Sequence, residues 1–433
     1  MKKVLIVSPH FPPVNAPDMQ RVRMLLPFLP DHGWQPEVLA VEPGQVAAPL
    51  DSWLEDGLPQ GLPVHRVKAL GLRWARLPGL GNLGFRALPA LSVAGGRLLA
   101  VGDYDLVYFS TTVFEIHVLG PRWKRRWGVP FVMDYQDPWV TDYYREHPEV
   151  RPPGGRLKYT LLEFIHRRME PRVLQECTGF TSVSPAYPGQ LIRRYPALNM
   201  PQHLILPFPG SARDLAMVRE SGQSQFDGAV PGTIHWLYAG VLIPGMLPAL
   251  RSFFQALRDF APGDLLERLC LHFVGTTYAG TEGGHDSLVR PVADAFGLSR
   301  IVKESPARIP YSQVLAMLQE ADGLLVFGSD DTSYTASKIY PYLMARKPLL
   351  AVVHEESSVV DLLQRVGGGT CVSFATGEDQ NHLARRIGQD WCQGNRWSQT
   401  RPLDELAFAP FTETGSAKLL AGFFDKVIGM ALD

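Results

Sequence analysis

Residues 2–41 read KKVLIVSPHFPPVNAPDMQRVRMLLPFLPDHGWQPEVLAV, and this stretch decides the fold class. Its opening, Lys3–Val7, is a short continuous apolar run, the pattern of a strand buried on both faces. The loop that follows, Ser8 to Asp18, is rich in Pro, Asn and Asp, which continue neither helix nor strand. Val22, Leu25, Leu26 and Leu29 then recur at helical spacing, which predicts a helix over Met19–Leu29 with Asp18 as its cap. Glu37–Val41 is the next strand. Strand, helix and strand in this order form a βαβ unit, which requires a parallel sheet covered on both faces.

The same rhythm continues outward. Leu106–Ser110 and Pro130–Asp134 read as buried strands, with helical segments around 114–126 and 157–176. Residues 209–232, PGSARDLAMVRESGQSQFDGAVPG, are polar with Gly and Pro at both ends and read as an interdomain connection. The alternation then restarts with a strand at His235–Ala239 and a helix stripe of Leu247, Leu250, Phe254 and Leu257. His272–Val274 is a strand, and Val314, Leu315 and Leu318 mark another helix. Gly323–Phe327 and Pro348–Val352 flank a helix at about 337–345. Leu419, Leu420, Phe423, Phe424 and Val427 form a last amphipathic helix. The expectation is an α/β protein of two doubly wound Rossmann-like domains, 1–210 and 233–408, facing across a cleft. Residues 409–433 should pack back on the N-terminal domain. Ligands of such sheets bind outside the carboxyl ends of the strands.

Composition narrows the function. With 433 residues and a formal net charge of −1, the chain lacks the basic excess of a general nucleic-acid binder. Cys177, Cys270, Cys371 and Cys392 are far apart without C-x-x-C spacing, as free thiols in a reducing compartment would be. No stretch reaches the ~18 apolar residues of a membrane helix, and the first apolar run is too short for a signal peptide. A cytoplasmic protein is expected.

Against this background several segments resemble glycosyltransferase family 4. VLIVSPHFPP, followed by QRVRMLLPFLPDHGWQPEVLAVEP, is similar to that family's opening strand, loop, helix with an early Arg and Gly-Trp turn. PFVMDYQDPW resembles the D-x-R-D-P-W segment of one subgroup. HWLYAGVLIPG, LHFVG, VLAMLQEADGLLVF and SKIYPYLMARKPLLAV follow in the family's order. The resemblance covers most of the chain and is weakest at about 45–100 and 140–230. It implies a GT-B architecture and retaining transfer of a sugar from a nucleotide diphosphate-sugar to a hydroxyl acceptor. The donor is a substrate, and no further cofactor or metal is implied. Such transfer needs donors aimed at the departing diphosphate and a well-oriented acceptor hydroxyl. In the front-face mechanism proposed for such enzymes the departing phosphate takes the acceptor proton.

The resemblance places the donor at Ser333, Thr335, Ser337 and Lys338, with Gly240, Gly275 and Arg21 nearby. In residue chemistry, Thr335-Ala-Ser-Lys338 opens a helix, where N–H groups, a hydroxyl and an ammonium could meet phosphate. The bland reading is that Ser337 caps the helix and Lys338 is solvated. Arg21 is either a phosphate or acceptor contact or a solvated helix residue. On the catalytic side stand His117, Asp134 and Asp137. His117 matches the family's acceptor-side His in position, but a lone His at a helix start is also a common structural residue. Asp134 and Asp137 could orient sugar hydroxyls or cap the loop before Pro138. Asp330-Asp331 is not a D-x-D metal motif, and Thr281–Gly284 with His285-Asp286 reads as a mobile loop by the nucleotide.

Two departures from the family stand out. Pro341 occupies the usual place of a ribose-binding Glu, and Val241 and Met246 replace two phosphate-binding cations. They favour an alternative reading, a binding or partner subunit of the same fold that has lost catalysis. Arg73, Arg76, Arg86 and Arg97 within 70–101, and the cluster Trp123-Lys-Arg-Arg-Trp127, suit peripheral contact with an anionic membrane. An ordinary solvated helix face explains them as well.

Overall fold

Thirteen parallel-paired strands divide into two sheets in the computed structural model, which describes all residues except 72–80, 147–151, 153–154, 219–225, 227–229, 278–286, 331–335 and 433. The first sheet contains β1 (Lys2–Val7), β2 (Trp34–Val41), β3 (Val64–Val67), β4 (Leu106–Ser110), β5 (Phe131–Tyr135), β6 (Gly179–Ser182) and β7 (Gln202–Ile205). Its spatial order is β3-β2-β1-β4-β5-β6-β7. The second contains β8 (Ile234–Ala239), β9 (Leu269–Val274), β10 (Val302–Ser305), β11 (Gly323–Phe327), β12 (Leu349–His354) and β13 (Thr370–Phe374), in the order β10-β9-β8-β11-β12-β13. β1, β4, β5, β8, β11 and β12 are apolar at nearly every position because helices cover both faces, so neither face needs polar residues.

The chain divides into one unit of Met1–Phe208 with Thr414–Asp433 and another of Pro209–Glu413. The last helix, Glu413–Leu432, belongs with the first sheet because its apolar stripe has nowhere else to go. Leu420, Phe424 and Val427 recur at helical spacing and pack with Val4, Ile6, Trp34, Leu106 and Tyr108. Phe424 meets the edges of Trp34 and Tyr108, each with ring centroids 5.2 Å apart. The Trp34 indole N–H donates to Asp425 at 2.9 Å, and Lys2 pairs with the same carboxylate. Truncating a ring so enclosed typically costs about 3–5 kcal/mol.

Three local expectations change. The α-helix predicted over Met19–Leu29 ends at Leu25, and Leu26–Phe28 continue as a 3-10 turn. Pro27 is the cause, since it supplies no N–H to an α-helical ladder. Asp18 makes no capping bond to that helix, because its carboxylate is engaged elsewhere. The stretch read as a connection contains a helix, Ala212–Val218, whose Leu215 carbonyl accepts from Gln319 at 2.6 Å, so it is part of the second unit.

Candidate functional site

Both sheets reverse strand order once. In the first, the chain runs outward from β1 to β3 and returns to place β4 beside β1; in the second, β11 returns beside β8. Crevices at the carboxyl ends of strands flanking such a reversal are where open α/β sheets take ligands.

At the β8/β11 reversal, the chain leaves β8 through Gly240, with φ +133°. Its N–H donates to the Val274 carbonyl at 2.8 Å, which keeps the ends of β8 and β9 together. A Cβ at Gly240 would sit 2.6 Å from Lys338 Nζ. That ammonium is buried, has no hydrogen-bond partner among the described residues, and stands 3.8 Å from the centroid of the Tyr238 ring. A cation–π contact replaces only part of its lost hydration. Burial accordingly lowers the Lys338 pKa to about 7. The short helix Ile339–Met344 is tied in place by Tyr342, whose hydroxyl accepts from the Ala239 N–H at 2.8 Å and donates to the Ala239 carbonyl at 3.3 Å. On the other side, the Asp330 N–H donates to the Gly245 carbonyl at 3.1 Å, joining the loops that follow β8 and β11. A Cβ at Gly245 would collide with the Asp330 carboxylate.

The structure thus brings Gly240 and Lys338 into contact, and Gly275 lies at the adjoining end of β9 with φ +67°. It corrects the expectation of a helix opening at Ser337: the helix begins at Ile339 and has six residues, so the site's charge comes from a side chain rather than from a helix terminus. Ser337 is exposed and makes no side-chain hydrogen bond among the described residues. Ser333, Thr335, Asp331 and the 281–286 loop lie outside the described residues. Met246 is 1% exposed and fills the core of the second unit, so a cation there would have no aqueous outlet.

At the β1/β4 reversal the loop after β1 folds into a different constellation. His10 Nδ1 lies 2.8 Å from Asp18 Oδ1 and 2.9 Å from Oδ2. Asp18 Oδ2 also accepts from the Thr111 hydroxyl at 2.8 Å and the Thr112 N–H at 3.1 Å. Burial raises the Asp18 carboxyl, but the charge and hydrogen bond of His10, with the threonine donors, outweigh it and leave it below its usual value. Burial lowers His10, yet Asp18 outweighs that too and raises it. The His10 side chain keeps 18% of its surface exposed, and its Nε2 has no partner among the described residues. Nothing in the sequence reading singled out His10. Its only signal was position, a His in a Pro-rich loop at the carboxyl end of the first strand.

The expected catalytic residues differ in their surroundings. Asp134, at the end of β5, is 1% exposed and accepts from Ser110 Oγ at 2.8 Å, Thr181 Oγ1 at 2.7 Å and Gln136 Nε2 at 2.8 Å. Arg21 Nε is 2.8 Å from its Oδ2, and the same guanidinium donates to the carbonyls of Leu206 at 2.6 Å and Pro207 at 3.2 Å and lies over the Phe208 ring. Arg21 and Asp134 are therefore an internal ion pair, with neither free to meet a ligand. His117 is buried among Phe109, Phe114 and Trp139. Its Nδ1–H donates to the Phe114 carbonyl at 2.9 Å, and burial lowers its pKa to about 4, so the ring is neutral. Asp137 is exposed, but crowding by surrounding protein, with the Asp18 carboxylate, raises its pKa to about 6.

The basic and aromatic surface is also redistributed. Arg86 is 2% exposed and donates to the Leu70 carbonyl at 2.6 Å. Trp123 is buried, stacked on Phe109 with centroids 5.7 Å apart, while Lys124 donates to the Glu176 carbonyl and Arg125 pairs with the Glu176 carboxylate. Arg73 and Arg76 lie outside the described residues. No helix among the described residues is long and apolar enough to cross a membrane.

Comparison with known proteins places this architecture. Residues 20–209 match the family described as glycosyl transferase 4-like domain. Among solved structures, sucrose-phosphate synthase from Thermosynechococcus elongatus is 14% identical with a TM-score of 0.60, covering 99% of this chain and 100% of its own. Trehalose 6-phosphate synthase from Burkholderia multivorans is 11% identical with a TM-score of 0.63, covering 100% of both chains. Anabaena HepE, solved in complex with UDP-glucose, is 13% identical with a TM-score of 0.55, covering 100% of this chain and 98% of its own. No curated protein sequence matches. The two parallel α/β sheets of seven and six strands give the chain the GT-B fold, and its residues 20–209 match a glycosyl transferase 4-like domain.

Proposed function

We propose that this protein moves a sugar from a nucleotide diphosphate-sugar to a hydroxyl acceptor, with retention at the anomeric carbon and without a metal at the donor phosphates. One observation carries the reading: the buried ammonium of Lys338 at the carboxyl end of β8, unpartnered among the described residues, against a glycine that leaves it room. An isolated buried cation is costly, and a diphosphate is the ligand that would compensate it. Gly240 and Gly275 allow the backbone to turn away at that end of the sheet. The nucleotide-sugar class is supported by Anabaena HepE, which was solved with UDP-glucose. In the transfer itself, Lys338 would hold the negative charge that builds on the leaving diphosphate. On the first unit, His10, whose charged form Asp18 favours, would donate from Nε2 to an oxygen of an acceptor bound at the carboxyl end of that sheet and so position it.

A second reading, a nucleotide-sugar-binding partner subunit without turnover, is favoured by Pro341. It stands in the first turn of helix Ile339–Met344 and offers no carboxylate to a ribose. Incubation with a panel of nucleotide diphosphate-sugars and lipid or glycan acceptors, in excess chelator, separates the two. A glycoside product whose anomeric configuration matches the donor supports the enzyme. Donor binding without product or donor hydrolysis supports the partner subunit. Donor binding that collapses on chelation removes the metal-independent phosphate site.

A further inference from the structure

A second polar cluster lies along β8 and β9, away from their carboxyl ends. His235 pairs in register with Cys270, and His272, two residues on, shares a face of β9 with Cys270. His235 Nδ1 and His272 Nε2 stand 2.9 Å apart. The ligand-capable atoms of His235, Cys270 and His272 all lie within 4.8 Å of one another. Both imidazoles are buried and the thiol is half-buried. Phe226 covers the pair, stacked flat on His235 at a centroid distance of 4.5 Å and tilted over His272 at 4.3 Å. Asp322, whose carboxylate accepts from the His235 N–H at 2.8 Å, brings negative charge to the neighbourhood, and Lys303, paired across β10 with His272, brings positive.

At 2.9 Å the two imidazoles share one hydrogen bond, in which one ring nitrogen donates its N–H to the lone pair of the other. Neutral imidazoles with a thiol are the ligand chemistry of borderline and soft first-row ions. The fit is close: Zn–N bonds of about 2.0–2.1 Å in a tetrahedral site set the two nitrogens about 3.3 Å apart. The present separation need open by only a few tenths of an ångström.

We propose that His235, Cys270 and His272 bind one Zn²⁺ or a chemically similar divalent ion, with a fourth coordination position left to solvent. On binding, the Cys270 S–H bond breaks, its proton goes to solvent, and the thiolate forms the metal bond; the hydrogen between the two rings moves to the far nitrogen of its own ring, so each imidazole contributes a neutral lone pair and nothing is oxidised. Five residues of extended strand separate His235 from Gly240, roughly 16 Å at 3.3 Å per residue. The ion therefore braces strands β8 and β9 and does not touch the donor phosphates, and the inference stands apart from the donor-site reading.

The test is titration of the full-length, reduced, chelator-stripped protein with Co²⁺ as the probe. One equivalent should bind with a thiolate-to-metal absorption band in the near ultraviolet and visible bands of a four-coordinate ion. Zn²⁺ should displace it and raise the Tm without changing UDP affinity. Cys270→Ser should remove the near-ultraviolet band and weaken binding about tenfold or more, as should His272→Asn. Because a variant could fail to fold, the wild-type protein gives a parallel readout: Zn²⁺ should shield Cys270 from alkylation, mapped by peptide mass. Absence of stoichiometric binding overturns the proposal. So does Co²⁺ binding that is unchanged in both variants, or alkylation of Cys270 unaffected by Zn²⁺.

Discussion

Arg21 Nε stands 2.8 Å from Asp134 Oδ2, and neither side chain is exposed. A charge pair with no solvent contact holds the helix after the first loop to the end of β5. Removing one partner leaves the other charge buried and unpaired, which typically costs about 3–5 kcal/mol. Arg21→Met and Asp134→Leu should each lower urea stability by that order, and the double variant should recover part of the loss. An Arg21→Met protein of unchanged stability but weakened donor binding would return Arg21 to the ligand.

His10 and Asp18 shift each other in opposite directions, and the signs fix the pH behaviour. The raised His10 value means its contribution is complete below the ordinary histidine value and is lost as pH rises through the folded value. The lowered Asp18 value means its contribution is present above the ordinary carboxyl value and is lost as pH falls through the folded one. The pair is intact between these limits. His10→Ala should lower kcat about tenfold or more and remove the alkaline limb of the kcat/KM profile, with donor KM little changed. His10→Gln, which keeps a donor without the charge, should restore part of the rate but not the limb. A kcat unchanged in His10→Ala would exclude His10 from the site.

Much of the fold was legible because buried parallel strands announce themselves. Lys3–Val7, Leu106–Ser110 and Gly323–Phe327 are apolar runs that nothing but a covered sheet can accommodate. The site was less legible, for physical reasons. A sequence shows that Asp134 ends a strand and Arg21 starts a helix, but not that the two charges neutralise each other internally. It shows Lys338, but whether an ammonium is solvated or buried over a tyrosine depends on which strand end its loop meets. His10, Tyr238 and the His235–Cys270–His272 cluster become visible only when strand register and loop path are known.

The exposed apolar surface that could meet a membrane is not where composition pointed. Trp123 and Arg86 are buried, whereas Leu157 is 91% exposed and Leu161 and Phe164 follow at helical spacing on helix Arg156–Glu176. Exposed Lys158, Arg168 and Arg172 lie on the same helix. The protein should sediment with anionic vesicles, less so at high salt, because screening weakens the attraction of basic residues to the surface. Phe164→Glu should reduce sedimentation severalfold with no change in Tm. Equal sedimentation with neutral and anionic vesicles would reject this contact.

Lys338 offers a test in which stability and binding must move in opposite directions. Burial lowers its pKa from the ordinary 10.5 to about 7. Below pH 7 the lysine is protonated in both the folded and unfolded chain, and the folded protein bears the full cost of a buried charge. Between pH 7 and 10.5 the unfolded chain holds a proton that the folded one does not, so stability rises with pH. Lys338→Met keeps the length and removes the charge, and it should raise Tm at pH 6 with a smaller effect at pH 9. The same change should weaken nucleoside diphosphate binding tenfold to a hundredfold, since a lost charge-assisted hydrogen bond typically costs about 1.5–3 kcal/mol. The nucleoside alone, lacking phosphate, should bind as before. Diphosphate affinity of the wild type should fall above pH 7, where the free ammonium gives up its proton, and binding at pH 8 should take up a proton measurable by calorimetry in buffers of different ionisation enthalpy. Gly240→Ala, which puts a methyl group against Nζ, should reproduce the loss of affinity without removing the charge. If Lys338→Met binds the diphosphate like the wild type, the anion site lies elsewhere in the second unit, and the proposed transfer loses its leaving-group contact.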